Sequence, residues 1–173
     1  MKIAYTMSDG PGYTDLLLFK LASSLQESGY RMAGTVQINT ERCDTGPCDM
    51  DVKVLPDGPV VRISQDLGEG SKGCRLDPEA LETAIGRVMV ALESDIQCLI
   101  VNKFGKQEAE GRGFRPVIAD ALSRGIPVLV GLNKLNKEAF ETFTGGIAEF
   151  LSPDHEIIED WLLANMKQKS AMA

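Results

Sequence analysis

Chemistry in this chain is concentrated in two short stretches that each follow an apolar run. The first, "MSDGPGYT" (7–14), brings Ser8, Asp9, Gly10, Gly12, Tyr13 and Thr14 into a turn that opens a helix-forming segment. Backbone N–H groups at such a helix start, with hydroxyls beside them, make a cradle for an anion. Against the phosphate-binding spacing G-x-x-x-x-G-K-[ST], Gly12 and Thr14 match, while Met7 stands at the first Gly and Tyr13 at the Lys. A plain Gly-Pro turn between strand and helix has the same composition. The second stretch, "CLIVNKFGKQEAEGRGF" (98–114), ends its apolar run in an amide and an ammonium, Asn102 and Lys103. A glycine-punctuated loop follows with Lys106, Glu108 and Arg112, suited to a closing lid or to an ordinary solvated loop, with Glu108 and Glu110 read as solvated.

Positioning these groups requires strands that deliver them to one edge. "KIAYTM" (2–7) reads as a strand, and Tyr13 to Glu27 as a helix with Leu16, Leu17, Leu21 and Leu25 at core spacing, ended by Gly29. "RMAGTVQ" (31–37) reads as a strand. Residues 39–73 are rich in Gly, Pro and Asp, and hold "DVKVL" and "VVRIS" around "PDGP", the pattern of an inserted β-hairpin. Asp77 and Pro78 form a helix start before the apolar stripe Leu81, Ile85, Val88 and Leu92.

"CLIV" and "IPVLVGL" (126–132) read as buried strands, with a helix from Phe114 to Arg124 between them. A helix near 135–151 and another near 156–167 complete the pattern. Ile157, Ile158, Trp161 and Leu162 are expected to face inward, and Phe140, Phe143 and Phe150 to finish the core. Buried strands alternating with helices predict a three-layer α/β domain over residues 1–173, mostly parallel, with helices on both faces. Such sheets bind ligands at the carboxyl ends of their strands.

Composition excludes several classes. The formal charge of −7 argues against broad binding to nucleic acid or to an anionic membrane. Apolar runs are far shorter than a membrane span, and "MKIAYTMSDGPG" reaches Gly and Pro before a signal-peptide core, so the chain reads as cytoplasmic. Thiols there stay reduced, and Cys98, inside a strand, reads as a small hydrophobe. Cys43, Cys48 and Cys74 with Asp49, Asp51 and Asp77 have no zinc-ribbon spacing, so no metal and no cofactor are assigned. "LNKLN" (132–136) echoes a guanine-reading motif but ends in Asn136, and His155 reads as a loop residue. Oligomeric state is left open.

The order of turn, "GTVQ" strand, "CDMDVKVLPDG" hairpin, "RLDPEALETAI" helix, "CLIVNKFGKQE" and "GFRPVIADAL" resembles the THEP1-type nucleoside-triphosphatases over roughly residues 1–132. "LPDG", "ISQDLG", "GCRLDPEALE", "NKFGKQEAEGRGF" and the Trp161 tail resemble the DUF2478 family of uncharacterised bacterial proteins. The resemblance implies a P-loop NTPase-like fold. In the triphosphatases the strand matching "CLIV" ends in Asp-Glu, which supports Mg²⁺ and positions the attacking water. Tyr13, Asn102 and Lys103 replace Lys, Asp and Glu, so a formal −1 becomes +1 and no catalytic residue is assigned. What remains is a noncatalytic binding or regulatory protein for a nucleotide or a tetrahedral oxyanion, or else a divergent triphosphatase or phosphotransferase. The family resemblance makes molybdate the first oxyanion to try, and it suggests that the hairpin, with Arg75 as an anion contact, reaches over the pocket.

Overall fold

The computed structural model describes residues 1–40, 49–68 and 75–166. Cys43, Cys48 and Cys74, which fall in residues 41–48 and 69–74, lie outside the described residues. Among the described residues seven strands form one sheet: β1 (Ile3–Thr6), β2 (Met32–Thr40), β3 (Asp49–Leu55), β4 (Val60–Arg62), β5 (Cys98–Phe104), β6 (Val128–Leu132) and β7 (Glu149–Leu151). The helices are α1 (Tyr13–Glu27), α2 (Pro78–Leu92), α3 (Lys106–Ala109), α4 (Arg115–Ser123), α5 (Lys137–Thr144) and α6 (His155–Asn165). The strand order is β4-β3-β2-β5-β6-β1-β7. From β2 to β7 every pairing is parallel, and β3 and β4 extend the β2 side antiparallel. The fold is the mostly parallel α/β architecture that the sequence predicts.

Alternation along the strands divides the interior in two. Ile3, Tyr5, Leu99, Val101, Val128 and Val130 pack under α2, α4 and α5. Ala4, Cys98, Ile100 and Leu129 pack under α1 and α6, with Leu18, Leu21, Leu25, Ile158 and Leu162 as the helical contribution. Burying both sheet faces is why these strands read as continuous apolar runs. Asp77 caps α2 by accepting from the Glu79 and Ala80 amides, and Pro78 holds its first turn.

Several expectations are corrected. The helix expected over 135–151 stops at Thr144, where Gly145 and Gly146 adopt positive φ, and the chain returns as β7 beside β1. Phe150 and Ile157 are half exposed and do not finish the core. Leu16 is 51% exposed, and Leu18 takes the buried position on α1 instead. Among the described residues no helix is long and apolar enough to cross a membrane.

Candidate functional site

Three strand ends meet in one row. Thr6 of β1 and Asn102 of β5 both pair in register with Gly131 of β6, which stands between them. All three lie on the α1 face, continuing the alternation of Ala4, Ile100 and Leu129. Side chains close in on Gly131, where a methyl group would lie 2.8 Å from Asn102 Oδ1, 2.8 Å from Leu18 Cδ1 and 3.4 Å from Thr14 Cγ2. Asn102 is 2% exposed, yet among the described residues neither its Oδ1 nor its Nδ2 has a hydrogen-bond partner, and buried Thr6 Oγ1 has none either. Such atoms cost on the order of 1–3 kcal/mol each. The Asn102–Lys103 peptide is cis, and Thr35 Oγ1 donates to the Asn102 carbonyl at 3.5 Å.

Over this row sits the β1–α1 turn. Gly12 takes the left-handed conformation at φ 76° as it enters α1. The Ser8 N–H donates to Thr14 Oγ1 at 3.0 Å, so the Thr14 hydroxyl faces the turn while its methyl faces the row. The Tyr13 ring folds back across Gly10, where a methyl group would collide with ring carbon Cδ2. Tyr13 therefore lies on the turn itself, and Pro11 removes one amide from the cradle.

Charges around the turn are balanced in pairs, which corrects the net positive point expected from sequence. Lys103 Nζ stands 3.9 Å from Oδ1 of Asp15, a residue only 5% exposed in the first turn of α1. Asn39 Nδ2 donates to the other carboxylate oxygen at 2.7 Å, and Asn39 Oδ1 accepts from Gln37 Nε2 at 2.8 Å. Lys134, read from sequence as part of a decoy motif, reaches Asp9 Oδ1 at 2.6 Å and holds that carboxyl below its usual range.

The structure thus brings Ser8, Asp9, Gly10, Gly12, Tyr13, Thr14, Asn102 and Lys103 together, and sets three others elsewhere. Arg75 NH2 faces Asp49 Oδ1 at 3.6 Å on the hairpin side. Lys106 and Arg112 both turn to Glu110, at 3.8 and 2.5 Å. Glu108 is not solvated: it is 2% exposed and accepts from the Gly105 amide at 2.8 Å and the Phe114 amide at 3.0 Å. That double capture folds the expected lid into the short α3 turn. Thr6, Asp15 and Gly131 escaped the sequence reading, and Lys134 entered it only within the "LNKLN" stretch. Thr6 and Gly131 were visible only as strand-end residues of adjacent runs, and Lys134 was visible as a cation after "LVGL".

The donor set does not suit Mg²⁺. An amide and an ammonium end β5, the Thr14 hydroxyl is engaged with Ser8, and both nearby carboxylates already face lysines. Beside the turn, α1 and β2 enclose a cleft of about 490 Å³, with Tyr13, Leu16, Phe19 and Ile38 as walls and Asp15, Gln37 and Asn39 as its polar side.

The model of the family "Protein of unknown function (DUF2478)" matches residues 3–161, and the chain belongs to that family. A relative from Bradyrhizobium diazoefficiens, "Molybdenum import ATP-binding protein ModC 2", is 38% identical over 149 residues, which is 85% of this chain. The chain spans only 16% of that relative's length. The solution structure of a human cancer-related nucleoside triphosphatase is similar with a TM-score of 0.62, at 18% identity and over 95% of both chains. That likeness gives the P-loop NTPase-like fold.

Proposed function

We propose that this DUF2478 chain is a binding or regulatory module that holds a tetrahedral dianion at the β1–α1 turn without hydrolysing anything. The dianion is a free oxyanion or the terminal phosphate of a nucleotide. One observation carries the reading: the buried row Thr6–Gly131–Asn102 is polar and unpaired directly under the turn. Thr14 links the two levels. A 120° rotation about its χ1 carries the hydroxyl to the place the methyl now occupies, which sends the hydroxyl down to the unpaired row and frees the Ser8 N–H for the anion. Ligand binding would then offset the cost of the orphaned amide, and the row becomes a sensor of occupancy.

Hydrolysis is disfavoured by the same residues. Tyr13 lies on the turn where a phosphate-binding Lys belongs, and Asn102 and Lys103 cannot hold Mg²⁺ or polarise a water as acids do. Molybdate is the first free oxyanion to test, because a relative covering most of this chain is named as a molybdenum import protein. The same name, with its ATP-binding function, supports a nucleotide as the other source of the dianion. Arg75, Lys106 and Arg112, each facing a carboxylate elsewhere, stay outside this proposal.

Calorimetric titration with molybdate, tungstate, sulfate, phosphate, ATP and GTP, each with Mg²⁺ and with chelator, tests it. One of these dianions is expected to bind equally well without Mg²⁺, and Asn102→Leu to weaken that binding by about tenfold or more. Binding that vanishes with chelator, or phosphate release on the order of once per second that Lys103→Ala abolishes, returns the chain to the triphosphatases.

A further inference from the structure

We infer that the cleft between α1 and β2 is a second site, which binds a planar heteroaromatic ring of the nucleobase kind. It adjoins the anion cradle at the turn, with which it shares Gly12 and Tyr13. Its volume of about 490 Å³ falls in the range of small-molecule sites, roughly 300–1,000 Å³. Its walls break the amphipathic logic of α1: Tyr13 is 66% exposed and Leu16 51%, both on the cleft, although Leu16 falls at core spacing. Two aromatic side chains, Tyr13 and Phe19, line it, and flat rings stack on such groups.

The polar side of the cleft decides the ligand class. Gln37 donates to Asn39, and Asn39 donates to Asp15, so each amide has one orientation and the series ends in a carboxylate that is 5% exposed. A fixed line of donors and acceptors next to aromatic walls matches the edge of a ring with alternating N–H and ring nitrogen or carbonyl groups. An acyl chain would strip water from the donors and acceptors that line still offers, at on the order of 1–3 kcal/mol per group. A sugar alone would waste the apolar walls. The line also ends 3.9 Å from Lys103, through Asp15, so a ring in the cleft shares a residue with the β5 end.

The test uses unphosphorylated probes, so that its failure is distinguishable from failure at the turn. Adenosine, guanosine, cytidine, uridine and, as an aliphatic control, octanoate are titrated into the purified chain and followed by NMR. At least one nucleoside is expected to bind saturably and to shift the Tyr13 ring protons upfield. Leu16→Arg, at an exposed position, fills the cleft and should weaken that binding by about tenfold or more, leaving the chain folded and its oxyanion titration unchanged. Asn39→Leu should weaken it comparably by removing the edge contact. The proposal is overturned if no nucleoside saturates up to about 5 mM, if octanoate binds in their place, or if Leu16→Arg binds nucleoside as the wild type does.

Discussion

Asn102 and Glu108 are both polar, both 2% exposed, and six positions apart on the segment leaving β5, yet their burial is balanced in opposite ways. Glu108 accepts two backbone amides, and its own carbonyl accepts from Arg115 Nε, so the loop from Gly105 to Phe114 is folded around it. Gly113 has to be glycine there, because any Cβ would press on the Glu108 carboxylate. Asn102, among the described residues, has no side-chain partner at all. A buried polar group that organises its surroundings is a structural element, and one left unpaired is kept for something else. Substitution separates the two roles.

The largest effect is expected at Glu108. Glu108→Ala strands the Gly105 and Phe114 amides in the interior and should cost about 3–4 kcal/mol, the sum of two buried donors losing a charged acceptor. Urea unfolding measures it. A loss below about 1 kcal/mol would mean that the loop holds together by packing instead, and the contrast with Asn102 would lapse.

Asn102→Leu should go the other way, unchanged or up to about 1 kcal/mol more stable, because it removes unpaired polar atoms from an apolar surround of Leu18 and the Thr14 methyl. A clear destabilisation would show that the amide has a structural partner after all. Thr14→Val keeps the shape but removes the hydroxyl that Ser8 N–H uses. If rotation of Thr14 frees that amide for the anion, the valine variant should bind the anion within about threefold of wild type, while losing about 1 kcal/mol of stability. A loss of binding of about tenfold or more would mean that the hydroxyl itself holds the anion.

How far the sequence went depends on which physics set each feature. The strands, α1 and the Asp77-Pro78 start of α2 were legible, because apolar runs, periodicity and capping are local signals. The convergence of "MSDGPGYT" with "NKFG" was legible as strand-end residues of a parallel sheet. β7 was not, since three residues make a strand only by pairing with β1, and Phe150 then stands on an open edge. The charge balance was not legible either. Asp15 lies in the helix stripe next to core leucines, and only the return of β5 puts Lys103 beside it. Glu108 looked solvated because nothing in "GKQEAEGRGF" says that two amides will turn inward on one carboxylate.

At the turn, a smaller effect should follow from Lys134. Its ammonium and the Asp9 carboxylate are both exposed, so the pair adds little to the fold. Lys134→Ala would leave Asp9 uncompensated at the mouth of the anion site and should weaken oxyanion binding about two- to fivefold, more at low salt than at high. If "LNKLN" is no more than an echo of a guanine-reading motif, no change follows, so calorimetry at two ionic strengths decides between that echo and a charge partner of the turn.

The smallest effect, and the one that tests Glu108 most directly, is its pH dependence. Burial pushes the Glu108 carboxyl above its ordinary value of 4.5, and the opposing pull of the Phe114 and Gly105 amides does not cancel it. The folded chain therefore holds this proton more tightly than the unfolded chain does. The contribution to stability is fully present below about pH 4.5 and is lost as pH rises through the raised folded value, opposite to the behaviour of an ion-paired acid such as Asp9. Glu108→Gln supplies the reference, because its side chain is uncharged throughout. The stability of wild type relative to Glu108→Gln should rise as pH falls from about 7.5 to about 4. A flat difference would mean that the two amides fully compensate burial, and a falling one that they bind the carboxylate strongly enough to make Glu108 an ordinary stabilising anion.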